Sequence, residues 1–243
     1  MSTPRSTAIA VGVLFLVATA AYIAGSGLIA AALAAPDHLA HLNGTQVRLG
    51  VLLECVDAAA VVAIGVLLFP ILRRYSEAAA LGYAGSRIIE SGLILVSVLG
   101  ALLLPTLSRE YLRAGPAEAA HLQTLETLAR AWYDLAFQLA MVVLGVGSLL
   151  LCSLLYTFRL VPRVLAVLGV VGYVALFASG WSALFGSNLG LVLYAPGAIF
   201  EVVFPLWLII KGFNEPAPPE GESSAGLSPP QRGTSVPAAV GSP

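Results

Sequence analysis

An all-α membrane protein is the fold class this sequence predicts, and three observations carry it. Hydrophobic residues make up 58% of the chain and charged residues 10%, against about 25% charge in a soluble globular domain. The mean hydropathy is +0.91. Six apolar runs, each near the length needed to cross a bilayer, alternate with polar turns. The expected architecture is a six-transmembrane-helix bundle over residues 1–213, with a short surface helix between spans 3 and 4. A disordered cytoplasmic tail is expected over 214–243.

The first run covers about residues 7–34, after Arg5. Its Ala32-Leu33-Ala34 resembles a signal-peptidase site, but a signal h-region is only about 7–15 residues long. The run is therefore expected to stay as a helix. A polar loop with an Asn43-Gly44 turn signal leads to the second run, about 49–72. Arg73 to Glu77 is a tight polar turn. The third run spans about 78–104, and Pro105 is expected to close it. In the next connection, Gly115-Pro116 places proline at a first helical position. Leu122, Leu125 and Leu128 recur on one side, and Glu126 precedes Arg130 by four residues, which favours a helix. That segment is read as an amphipathic helix on the membrane surface. The fourth span, about 131–158, opens on Trp132-Tyr133-Asp134. A basic turn with Pro162 precedes the fifth, about 164–185, where Gly169 and Gly172 allow a neighbouring helix to come close. Ser187-Asn188-Leu189-Gly190 is a turn, and the sixth span is about 191–210. Beyond Asn214 the Pro, Gly, Ser and Glu content leaves too little apolar surface to offset the entropy of ordering.

Six spans put both termini on one side. The short turns with Arg73 and Arg74, and with Arg159 and Arg163, fall on the same side as Arg5 and Lys211. The positive-inside rule makes that side cytoplasmic, N-in and C-in. The lipid bilayer is the expected partner. A net charge of −1 and the lack of a basic face exclude nucleic acid.

Charges in a bilayer core are costly unless paired or hydrated, so they are the candidate functional residues. They are Glu54 and Asp57 in the second run, Arg87 and Glu90 in the third, Asp134 in the fourth and Glu201 in the sixth. Arg87 and Glu90 are three apart and share a helical face, as do Glu54 and Asp57. Glu54 and Asp134 fall near the ends of their runs, within reach of headgroups or water. Pro196 and Pro205 flank Glu201 and free backbone carbonyls beside it. One arginine against five acids leaves a surplus of negative charge too costly for low dielectric. Some of the acids therefore hold a proton, meet water or hold a cation. The alternative is that Arg87, Glu90 and Glu201 only pin helices together.

His38, His41 and His121 fall on the outer side. They form at most a weak metal candidate, because their spacing fits no ligand motif. Cys55 and Cys152 are expected near opposite ends of their helices, roughly 20 Å apart at 1.5 Å per residue. That is too far for a disulfide, so both are read as free thiols. Tyr173, Trp181, Tyr194 and Trp207 are read as interfacial anchors or packing. No P-loop, GxGxxG, HExxH or GxSxG pattern occurs, and no cofactor is expected.

The stretch Phe158-Arg159-Leu160-Val161-Pro162-Arg163-Val164-Leu165-Ala166-Val167-Leu168-Gly169 resembles a basic-proline turn entering the fifth helix of a known family. So does Glu201 followed by Leu206-Trp207-Leu208-Ile209-Ile210-Lys211-Gly212 at its close, and the Arg87 and Glu90 pair. Over about residues 7–213 the chain resembles the prokaryotic integral-membrane family catalogued as domain-of-unknown-function family 4386. Members often carry a histidine near the start of the fourth helix, where this chain has Arg130-Ala131-Trp132-Tyr133-Asp134. The resemblance implies a six-helix protein of a prokaryotic cytoplasmic membrane and assigns no activity.

Three functional readings follow. The first is a non-enzymatic inner-membrane protein with a buried Arg/carboxylate cluster: a proton- or cation-responsive transporter, a sensor, or an accessory subunit of another membrane protein. The second is an intramembrane enzyme on a lipid-soluble substrate, with Glu90 and Glu201 as acid and base. The third is a purely structural membrane protein. The first is preferred because nothing catalytic was found.

Overall fold

In the computed structural model, residues 4–34, 37–186 and 191–214 are described. The expected tail over 215–243 and the turn at Ser187–Gly190 lie outside the described residues, as does the side chain of His38. The described residues are all-α, without a strand. The helices are α1 (Pro4–Ala32), α2 (His38–His41), α3 (Gly44–Leu72), α4 (Glu77–Tyr111), α5 (Pro116–Thr157), α6 (Arg163–Leu184) and α7 (Ala195–Ile210), the last preceded by a 3₁₀ turn over Leu191–Tyr194. Five of them are long and apolar enough to cross a membrane, and α7 is a shorter apolar helix. By length and composition this is a multi-pass membrane protein.

Local chemistry sets most of the boundaries. The Asn43 side chain accepts from the Gln46 backbone N–H at 3.2 Å, and the Ser76 hydroxyl accepts from Ala79 N–H at 3.3 Å. Each thereby satisfies an orphan donor at a helix start. Gly115 caps α5 and Pro116 opens it, as expected. Between α5 and α6, Arg159 takes a left-handed φ of 53°. Asn214 holds that strained turn, donating from its side chain to the Arg159 carbonyl at 2.9 Å and from its backbone N–H to the Leu160 carbonyl at 2.8 Å.

Two expectations fail at the α4–α5 hairpin. Pro105 does not close α4, which runs six residues further to Tyr111. The extension is docked: the Ser108 hydroxyl donates to the Leu39 carbonyl at 2.7 Å, and Pro105 packs against Gly44. Tertiary contact thus offsets the missing proline N–H. The separate surface helix does not exist either. Residues 116–130 are the first turns of one 42-residue helix, α5, about 63 Å long at 1.5 Å per residue. No Gly or Pro interrupts the join, and α4 supports it. The Trp132 indole donates to the Val96 carbonyl at 2.9 Å, and the Ser97 hydroxyl to the Tyr133 carbonyl at 2.7 Å. The expected Glu126–Arg130 pair is present at 3.4 Å.

The long helices pack in a closed sequence: α1 on α3, α3 on α4, α4 on α5, α5 on α6, α6 on α7, and α7 back on α1. Small residues bring the backbones together. A Cβ on Gly172 would lie 2.7 Å from the Gly197 backbone, and one on Gly25 2.8 Å from the Gly50 carbonyl. The closing contact includes the second half of α7. Phe15 meets Phe204 edge-on with ring centroids 5.5 Å apart, and Gly12 lies against the Pro205 carbonyl. Arg5 donates to the Ile209 and Ile210 carbonyls at 2.8 Å each. The start of α1 therefore caps the end of α7, where the last carbonyls lack helical partners.

Candidate functional site

The closed ring surrounds a cavity of about 820 Å³. Every long helix and α7 contributes to its wall: Phe15 and Tyr22 from α1, Asp57 from α3, Arg87 and Glu90 from α4, Phe137 from α5, Tyr173 from α6 and Glu201 from α7. Exposed Ile23 and Gly186 also line it, so the cavity reaches the surface of the protein.

Four of the six charged candidates meet here. Arg87 and Glu90 are one turn apart on α4 and are 3% and 2% exposed. One guanidinium nitrogen, Nη1, donates to both Glu90 oxygens at 3.2 and 3.0 Å. Nη2 donates to the Ser148 hydroxyl of α5 at 2.8 Å. Nε has no hydrogen-bond partner among the described residues. The guanidinium also lies 5.1 Å from the Tyr83 ring centroid, within the range of a cation–π contact. Gly65 of α3 admits the arginine stem, since a Cβ there would come within 3.0 Å of Arg87 Cβ.

The two remaining acids have no such partner. Among the described residues Glu201 receives only the Tyr173 hydroxyl, at 3.4 Å. Pro205, four residues on, lacks the N–H that would pair with the Glu201 carbonyl, so the backbone there is also short of a donor. Asp57 is 6% exposed, lines the cavity, and has no hydrogen bond or ion pair among the described residues. Asp57 is near enough to Glu90, Glu201 and Arg87 to interact with each electrostatically. If every group were ionised, three carboxylates and one guanidinium would leave two negative charges in this space.

Glu54 and Asp134 stand apart. Glu54 was expected within reach of headgroups or water; it is buried and accepts the Tyr133 hydroxyl from α5, tying α3 to α5. Gly25 of α1 packs against its stem. Glu54 is one turn from Asp57, yet it does not line the cavity. Asp134 is exposed, on the wall of a second cavity of about 450 Å³ with Arg130 and Tyr133. Tyr22, Phe137 and Gln138 line both cavities, and the Tyr22 and Phe137 rings stack at 5.0 Å between centroids.

Sequence reasoning missed Ser148, Tyr133 and the Tyr22–Phe137 stack. A lone serine in an apolar run was the available signal for Ser148. Tyr173 was read as an anchor or packing; it is fully buried and also serves Glu201. Among the described residues no three His, Cys, Asp or Glu side chains gather as a metal site, and His41 and His121 join none. Cys55 and Cys152 are both free, as expected.

No curated protein and no solved structure matches the chain. A family model described as "Domain of unknown function (DUF4386)" matches residues 10–212. That covers all the long helices and α7, and it agrees with the resemblance carried by the basic-proline turn, the α7 segment and the Arg87–Glu90 pair. The chain therefore belongs to the domain-of-unknown-function family DUF4386.

Proposed function

We propose that this is a six-span protein of a prokaryotic cytoplasmic membrane, N-in and C-in, whose central cavity exchanges protons or a cation through Asp57 and Glu201. Arg87 and Glu90 are the fixed, mutually neutralising part of the site. The role is that of a small transporter, a sensor, or an accessory subunit of another membrane protein.

The carrying observation is Asp57: a carboxyl group buried against a large cavity with no hydrogen-bond or ion-pair partner among the described residues. A group kept in that state at several kcal/mol of desolvation is set up to take its partner from outside. The six-span count is supported by the Arg5 contacts, which bring the two ends of the helical domain to the same end of the ring. It is also supported by length. The 16 residues of α7 span about 24 Å, and the four-residue 3₁₀ turn adds about 8 Å, against a hydrocarbon core of about 30 Å. Orientation rests on Arg73, Arg74, Arg159 and Arg163 in the two short turns.

The enzyme reading uses Glu90 as an acid or base. Both oxygens of Glu90 already accept from Arg87, which leaves that group engaged, and the first reading is favoured. Its test is a difference proton titration of purified protein in nanodiscs. The wild type should take up more protons than Asp57→Asn or Glu201→Gln over the full titration. Identical titration curves would sink the proposal.

A further inference from the structure

We infer that the central cavity is a binding site for a lipophilic organic monocation, such as a protonated or quaternary amine with an aromatic or bulky alkyl body. This rests on the reading that Asp57 and Glu201 take their counter-charge from outside the chain, and it names the chemistry of the occupant.

Size excludes a bare ion as the natural fit. The volume of about 820 Å³ lies in the range of pockets that hold drug-sized molecules, about 300–1,000 Å³. A calcium ion needs six to eight oxygen ligands and a magnesium ion a tight octahedron, whereas most of this wall is apolar side chain. The charge pattern sets the sign. Glu90 is satisfied by Arg87. Among the described residues Asp57, nine-tenths buried on the cavity wall, has no partner, and Glu201 has a single long hydrogen bond from Tyr173. These two acids, without a basic partner among the described residues, come from opposite parts of the sequence, on α3 and α7, and face one space. An anion there would meet both.

The wall chemistry sets the body of the ligand. Phe15, Tyr22, Phe137, Tyr173 and Tyr194 all line the cavity. Aromatic faces attract a cation when it is desolvated, and aromatic cages are the usual way to hold an alkylated ammonium. Such a ligand also buries its apolar surface against Ile64, Leu144 and their neighbours. An inorganic cation would meet the acids but leave that apolar wall without a partner.

The test uses tetraphenylphosphonium and its anionic analogue of the same shape, tetraphenylborate, with the full chain in detergent and in nanodiscs. Equilibrium dialysis of tetraphenylphosphonium should show saturable binding at one site per chain. Asp57→Asn and Glu201→Gln should each weaken it at least tenfold, and tetraphenylborate should not displace it. A third variant, Ala18→Phe, places an apolar ring into the cavity and leaves every acid in place; it should abolish binding with the fold retained. Thermal unfolding of each variant separates loss of site from loss of fold. Should Asp57→Asn fail to fold, Ala18→Phe and the tetraphenylborate competition decide alone. Equal binding to wild type and the folded variants, or equal displacement by tetraphenylborate, overturns the inference. If tetraphenylphosphonium does not bind but the proton difference at Asp57 and Glu201 persists, the organic-cation inference falls and the proton-exchange reading stands. If both signals are missing, both fall.

Discussion

Replacing Arg87 with methionine should be one of the most damaging single changes in this protein, and replacing Glu90 at the same time should repair much of the loss. Arg87 and Glu90 are almost fully buried, so Arg87→Met strands a carboxyl group that no other base contacts among the described residues. Breaking a buried pair from one side costs about 3–5 kcal/mol. The Ser148 hydroxyl also loses its donor, about 1 kcal/mol. The pair itself is only partly satisfied: one nitrogen serves both carboxylate oxygens, and Nε serves nothing among the described residues. Buried pairs of this kind are often neutral, or worse than apolar replacements. The double variant Arg87→Met with Glu90→Leu should therefore lie within about 2 kcal/mol of wild type, recovering roughly 2–4 kcal/mol of the Arg87→Met loss. The assay is reversible unfolding in mixed micelles of rising dodecyl sulfate content, followed by tryptophan fluorescence. A single variant within 1 kcal/mol of wild type, or a double variant as unstable as the two single losses added, refutes the argument. If the double variant keeps its fold and all function in the cell, the charge pair is purely structural.

Gly172→Ala should lower the unfolding midpoint, since its Cβ would meet the Gly197 backbone at 2.7 Å and overpacking costs about 1–3 kcal/mol. Gly85→Ala, with nothing within 4 Å of the new Cβ, should be neutral or stabilising by about 0.5–1 kcal/mol; the same micelle titration compares the two. Tyr133→Phe should cost about 1–3 kcal/mol by leaving buried Glu54 without its donor, and Glu54→Gln combined with it should recover part of that loss. In maleimide labelling, Cys152 should react only after dodecyl sulfate unfolding because it is fully buried, whereas half-buried Cys55 should react in the folded protein; equal rates would contradict the packing of α5 against α6.

The helices were legible because lipid forces a simple pattern: long apolar runs must be helices, and the polar turns between them were visible. Gly115 and Pro116 marked a start that the structure keeps. Pro105 misled because proline stops a helix in isolation, whereas here Ser108 and Gly44 support the turn beyond it. The join at Arg130 was hidden because a polar amphipathic segment and an apolar one can belong to one helix, and only the contacts of Trp132 and Ser97 reveal it. The site was half legible. Depth along each run selected Asp57, Arg87, Glu90 and Glu201. Depth does not say which neighbouring helix a side chain meets, however: Glu54, one turn from Asp57 on the same face, meets Tyr133 of α5 and not the cavity. Asp134 likewise shares a second cavity with Arg130 and not the first with Arg87.

The clasp of Arg5 on the last carbonyls of α7 has a consequence for biogenesis. The ring is closed by its first and last helices, so the cavity does not exist until α7 has left the ribosome. At about 5–20 residues per second, the 111 residues between Glu90 and Glu201 take roughly 6–22 s to synthesise. During that interval Asp57 and the α4 charges sit in a membrane without their final wall. Pairing Arg87 with a glutamate one turn away on its own helix lets α4 enter the bilayer already neutralised, before any partner helix arrives. Glu201, by contrast, arrives with the helix that seals the ring, so that acid is exposed to lipid for the shortest time. A chain truncated before α7 would leave the acids of α3 and α4 facing lipid, a state that membrane quality control can recognise.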